Sequence, residues 1–220
     1  MTDVWTMQSR EDEIEYCKQH GIDLPFDTKH SYSRDRNLWH ISHEGLELED
    51  PSQAPNYDDL LVLTATPEKA PDEPEEVTMT FESGVPKTLN GKEMKVSEII
   101  TELNKLGGKH GIGIIDIVEN RVVGMKSRGV YETPGGTILM EAHDQLEELV
   151  LDRATYEVKK DMGNKMAQIV YEGKWFNTAS RSSPGICGCH TAVCDRRSKI
   201  QALQRKHHQS GNNFPILIIQ

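Results

Sequence analysis

Apolar and polar positions along the chain fall into blocks of different period, and each period predicts an element. Val77, Met79 and Phe81 alternate with Thr78, Thr80 and Glu82, the two-residue period of a half-buried strand. Val96, Ile99, Ile100, Leu103 and Leu106 follow helical spacing, with Gly107-Gly108 as the expected stop. Ile112 to Val118 is apolar and β-branched, which predicts a strand, and Arg121 to Met125 is expected to return beside it. Thr137 to about Lys160 is the longest helical pattern, with a stripe of Ile138, Ala142, Leu146, Leu149 and Val150; Met162 to Tyr171 continues as a second helix. Leu60 to Thr64 reads as a short apolar strand, and Asn90-Gly91 as a turn between extended segments. Near the start, Ser9-Arg10-Glu11-Asp12 has the form of a capping box before a short helix over 10–20, with Gly21 at its C′ position. Residues 25–58 show no sustained period and read as loop. Strands and helices mix without a βαβ rhythm, so the expected class is α+β, a mixed sheet packed with helices.

Composition narrows the function. Charged residues make up 27% and hydrophobics 36% of 220 residues, with a mean hydropathy of -0.60, yet the apolar blocks above exclude wholesale disorder. No run of about 18 apolar residues exists, which argues against a membrane span. The start, MTDVWTMQSREDE, has neither the basic nor the apolar region of a secretory signal, and the four Cys are then expected as reduced thiols in a cytoplasmic protein. A net charge of -10 argues against nucleic acid as a partner. That charge is uneven. From Thr178 onward six cations face one acid, and three of the four Cys lie there. The shift predicts a boundary between residues 1–177 and a basic tail, 178–220.

Three segments could carry chemistry. Gly135-Gly136-Thr137 at a helix start could present N–H groups to an anion; a tight turn with Thr137 as N-cap is the plainer and favoured reading. Ser31 to Ser42 packs hydroxyls, an amide and cations into a loop suited to a polar zwitterion, or to ordinary turn chemistry. Cys187-Gly188-Cys189-His190 with Cys194 offers zinc-like ligands, but no second pair stands at the usual separation. Walker-type, G-x-G-x-x-G and S-G-G-x-D phosphate loops are all missing from these 220 residues.

Longer motifs are more telling. Tyr32-Ser33-x-Asp35-x-Asn37-Leu38-x-His40-Ile41-Ser42 is followed by Gly107-Gly108-Lys109-His110-Gly111-Ile112-Gly113, then Asp116-Ile117-Val118-Glu119-Asn120-Arg121 and Gly124 to Pro134. Together these resemble argininosuccinate synthase, and the resemblance runs from Val4 to Asn177. It implies a carbon–nitrogen ligase of arginine biosynthesis that joins citrulline to aspartate. ATP is the co-substrate: the ureido oxygen attacks the α-phosphate, releasing pyrophosphate, and the aspartate amine then displaces AMP. In that family an N-terminal domain carries the nucleotide loop and the aspartate site, a second α+β domain completes the citrulline pocket, and a C-terminal helix ties homotetramers together.

The chain resembles the second domain. The family's citrulline-binding positions that match are Ser33, Ser42, Glu119 and Tyr131, a carboxylate and three hydroxyls that suit an α-ammonium group and a neutral side chain. No catalytic, cofactor or metal position is carried over. Ile114 stands where the family usually has Arg, so Asp116 is expected to lack a cationic partner. The family's Pro-Leu-Arg-Glu helix and Lys-Leu-Tyr-Lys-Gly-Asn strand do not follow Asn177. Shifted forward by one base, however, codons for the tail permit Pro-Leu-Arg-Glu-Ala-Val-Gln-Ala-Phe-Val, and later Lys-Phe-Lys-Leu-Tyr-Asn-Gly-Asn-Ile-Ile-Lys. The tail is therefore expected to be an out-of-frame reading, largely unstructured and metal-free, with an accidental Cys/His cluster. The expected state is a fragment inactive alone and impaired in tetramer formation. The alternative is a non-catalytic citrulline-binding or assembly protein that pairs with a separate N-terminal half.

Overall fold

The computed structural model describes residues 7, 10–24, 32–176, 199–203 and 216–219. Its elements are α1 (Arg10–Gln19), β1 (Ser33–Arg36), β2 (Ile41–Glu44), α2 (Tyr57–Leu60), β3 (Glu76–Glu82), β4 (Val85–Leu89), β5 (Lys92–Glu93), α3 (Val96–Lys109), β6 (Ile114–Asn120), β7 (Lys126–Glu132), α4 (Pro134–Val150), α5 (Arg153–Tyr171), β8 (Lys199–Leu203) and β9 (Ile216–Ile219). The α+β class holds. The strands form two sheets, ordered β1-β2-β7-β6 and β5-β4-β3-β8-β9, and every pairing among the described residues is antiparallel.

The main core lies where the expected periods meet. Val77, Met79 and Phe81 point from β3 onto Ile99, Ile100 and Leu103 of α3 and Ile138, Leu139, Ala142 and Leu146 of α4. Alternation on the strand and a three-to-four spacing on the helices turn these side chains toward one another. A smaller core of Tyr32, Leu48, Leu60 and Val130 sits beneath the four-stranded sheet.

Several boundaries differ from expectation for identifiable reasons. Gly107 and Gly108 do not stop α3; they lie inside it because the space beside them is taken. A Cβ on Gly107 would come within 2.8 Å of Pro134, and one on Gly108 within 2.1 Å of the Leu63 carbonyl oxygen. The stop is Gly111 at φ 70, where Ile112 N–H reaches the Gly107 carbonyl at 2.9 Å in a Schellman arrangement. The long helical pattern divides at Asp152, whose side chain accepts the Thr155 N–H at 3.1 Å and caps a new helix. Arg121 to Met125 forms the turn, and the returning strand is β7. Residues 25–58 contain two strands with no apolar period: Ser33-Arg34-Asp35-Arg36 is polar on both faces and exposed throughout.

Leu60 to Thr64 is not a strand. The N–H groups of Val62, Leu63 and Thr64 turn inward to the Glu132 carboxylate at 2.8, 2.8 and 2.7 Å. A buried carboxylate replaces the neighbouring strand that would otherwise satisfy them.

Two short pieces of the tail are described. Lys199–Leu203 pairs with β3 and Ile216–Ile219 pairs with Lys199–Leu203, so regular structure is present at both places. Strand pairing uses backbone groups, and an open strand edge accepts any β-prone segment whatever its side-chain pattern. The Cys187 to Cys194 cluster and Ser9 lie outside the described residues.

Candidate functional site

The four-stranded sheet has two faces of opposite character. Side chains alternate along each strand, and directly paired residues share a face. The register sets Ser33 opposite Glu44, Asp35 opposite Ser42, Ser42 opposite Tyr131, Tyr131 opposite Ile115, and Ser127 opposite Glu119. By that parity Ser33, Ser42, Glu119 and Tyr131 all lie on one face, joined by Asp35, Glu44, Ser127, Ile115 and Ile117. The structure thus brings all four candidate residues to a common surface. Ser42 is buried and Ser33 exposed.

Tyr131 and Glu119 are not register partners, yet the Tyr131 hydroxyl donates to Glu119 Oε1 at 3.4 Å. Gly129 makes this reach possible. It precedes Tyr131 by two residues on the same face, and a Cβ there would sit 3.3 Å from the tyrosine ring. With no side chain in the way, the ring lies along the strand toward Glu119. Burial, then the negative charges of Glu119 and Glu44, raise the Tyr131 pKa, so its hydroxyl stays a donor. The His40 ring flanks Tyr131, 5.8 Å between centroids.

Residues outside the expected set complete this surface. Arg121 donates to Glu44 Oε1 at 2.8 Å and to Ser127 Oγ at 3.0 Å, and stands 3.9 Å from Glu119 Oε1. The sequence alone did not single out Glu44. Its signal was there: it follows Ser42 by two residues, the same-face spacing of a strand.

The other face is scaffold. His43 and Glu132 are both fully buried and 2.7 Å apart. Arg34 Nε donates to His43 Nδ1 at 3.1 Å, so Nε2 carries the proton and donates to Glu132. Burial pushes the Glu132 pKa up, but the His43 bond and the N–H groups of the 62–64 segment outweigh it and leave the group below its ordinary value. Asp116, expected to lack a partner because of Ile114, has one. Arg128 Nε and Nη2 reach its two oxygens at 2.9 and 2.8 Å, and Nη1 binds the carbonyls of Asp50 and Gln53. Opposite parity explains the correction: Ile114 and Asp116 share a face with Arg128, which the register places within reach.

Gly135-Gly136 serves packing. Gly135 N–H donates to Asn104 Oδ1 at 2.9 Å, and a Cβ on Gly136 would meet the Trp39 ring at 2.8 Å. Thr133, not Thr137, is the N-cap residue, with Pro134 in the first turn.

A family model described as "Arginosuccinate synthase C-terminal domain" matches residues 32–184. The chain belongs to the argininosuccinate synthase family. It is 83% identical over 174 residues to "Argininosuccinate synthase" of Agathobacter rectalis, a match covering 79% of this chain and 43% of that relative. The protein of the same name in Caldicellulosiruptor saccharolyticus is 56% identical over 212 residues, covering 96% and 52%. "Argininosuccinate synthase, chloroplastic" of Arabidopsis thaliana is 54% identical over 178 residues, covering 81% and 36%. The chain therefore spans about half or less of the length of these argininosuccinate synthases. No helix among the described residues is long and apolar enough to cross a membrane.

Proposed function

We propose that this chain supplies the citrulline-binding face of an argininosuccinate synthase. In this reading it acts in the cytoplasm, within arginine biosynthesis. Glu119 takes the α-ammonium group, and the hydroxyls of Ser33, Ser42 and Tyr131 orient the rest of the substrate. The observation that supports this most is the shared face: register alone brings Ser42, Tyr131 and Ser33 to one surface, and Tyr131 reaches Glu119 across it. The full reaction, ligation of citrulline and aspartate with ATP giving AMP and pyrophosphate, needs a nucleotide loop that these 220 residues do not contain. The 220 residues alone then make no argininosuccinate, and tetramer formation is impaired. Residues 1–177 are the working domain in this reading, and 178–220 an out-of-frame extension with no metal function.

Citrulline binding to the chain, measured by ligand-observed NMR, tests the reading. A charge-assisted contact contributes about 1.5–3 kcal/mol. Glu119→Ala should therefore raise the citrulline dissociation constant roughly ten- to a hundredfold. An unchanged constant removes Glu119 from the site.

A further inference from the structure

Glu119 has a competitor for any substrate ammonium, and that competitor is intramolecular. Arg121 lies two residues along the chain, and its Nη2 stands 3.9 Å from Glu119 Oε1. A movement of about an ångström would bring it to hydrogen-bonding distance. It is held elsewhere: Nη2 binds Glu44 Oε1 at 2.8 Å and Ser127 Oγ at 3.0 Å. The Arg121 backbone is fixed by its N–H bond to the Met125 carbonyl at 2.8 Å, so the side chain alone has freedom to swing. Its side chain is 39% exposed, and those of Glu44 and Glu119 are 36% and 27% exposed, so none is locked by packing.

The charges are also in proportion. Glu44, Glu119 and Arg121 together leave one net negative charge around Glu119, the sign that suits an ammonium, and Asp35 adds a further carboxylate to the same face. Were Glu44 neutral, the guanidinium and Glu119 would neutralise each other and that charge would vanish.

We propose that Glu44 is a positioning residue: by holding Arg121 it keeps the guanidinium off Glu119 and leaves that carboxylate for the substrate's α-ammonium group. The inference rests on the citrulline reading above and adds the residue that keeps the site open.

The test uses the full chain and citrulline, with binding read by ligand-observed NMR and folding by thermal unfolding. Glu44→Gln keeps length and polarity but removes the charge. It should weaken citrulline binding about tenfold, which corresponds to about 1.4 kcal/mol. Adding Arg121→Met in that background removes the competitor and should restore affinity to within about threefold of the parent. A purely structural role for Glu44 gives no such rescue. Ser127→Ala loosens the second restraint on Arg121 and should weaken binding about threefold, again reversed by Arg121→Met, which covers the case of Glu44→Gln failing to fold. Affinity unmoved by Glu44→Gln and by Ser127→Ala, or lost without rescue in the double variant, overturns the inference alone, provided Glu119→Gln weakens binding. Binding that is absent in the parent, or indifferent to Glu119→Gln, overturns the citrulline reading and this inference together.

Discussion

Glu132→Gln is the most exacting test of the scaffold behind the site, because isosteric replacement normally counts as mild. Glu132 is fully buried and its carboxylate meets four donors: His43 Nε2 and Val62 N–H on Oε1, Leu63 and Thr64 N–H on Oε2. A carboxylate can accept all four; an amide presents one acceptor oxygen and two donors. Whichever way the amide is turned, two donors lose their acceptor and face an NH2 group. A buried unsatisfied donor costs about 1–3 kcal/mol, so the variant should lose about 2–5 kcal/mol. With a urea dependence of about 2 kcal/mol per molar, the unfolding midpoint should fall by about 1–2.5 M. The His43 tautomer cannot relieve this, because Arg34 already occupies Nδ1. The folded-state pKa of Glu132 lies below its ordinary value, so the unfolded chain takes up the proton first as the pH falls. The stabilisation from Glu132 is whole above about pH 4.3 and is lost as the pH falls through the folded pKa. Parent and Glu132→Gln should therefore differ most near neutrality and converge in acid. A loss under about 1 kcal/mol at pH 7, or a gap that widens toward acid, refutes this account.

Two further outcomes follow from the packing. Arg128→Lys keeps a charge but cannot grip both Asp116 oxygens and the Asp50 and Gln53 carbonyls at once; a loss of about 1–3 kcal/mol in urea unfolding is expected, and no loss would show the pair to be idle. Ending the chain at Asn177 removes β8 from the edge of β3, so alternate amides across Glu76 to Thr80 should exchange faster by hydrogen-exchange mass spectrometry, and unchanged exchange would argue against that strand pairing.

The main core was legible because its signals are periodic. Val77, Met79 and Phe81 on one strand and Ile99, Ile100 and Leu103 on one helix announce a buried face by spacing alone, and the structure buries them all. What stayed hidden depended on partners distant in sequence. Leu60 to Thr64 looks like a strand until Glu132, some seventy residues later, takes its N–H groups. Gly107-Gly108 looks like a stop until Pro134 and Leu63 are seen against it. The Ser33 and Ser42 strands carry no apolar alternation, because one of their faces is polar and the other mixes Ile41 with the polar Arg34 and His43. The resemblance to the family supplied the four candidate residues, while the contact of Arg121 with Glu44 needed the strand register.

The two faces of the sheet are coupled through that register. Ser42 and His43 are chain neighbours, as are Tyr131 and Glu132, and each pair sends one side chain to the site and one to the scaffold. A slip of one residue between β2 and β7 would exchange them, burying the hydroxyls and exposing the His43–Glu132 pair. The slip would also expose Ile41 and Val130, which are buried on the scaffold face. The restraint comes from behind. His43 and Glu132 can meet at 2.7 Å only in the observed alignment, with Arg34 on the far side of the imidazole and the 62–64 backbone on the far side of the carboxylate. Leaving either group unpaired in that interior would cost several kcal/mol. The hydroxyls opposite are thus held in place from behind, by a buried polar pair that lies on the other face together with Ile41 and Val130, and Glu132 helps to fix where Tyr131 must point.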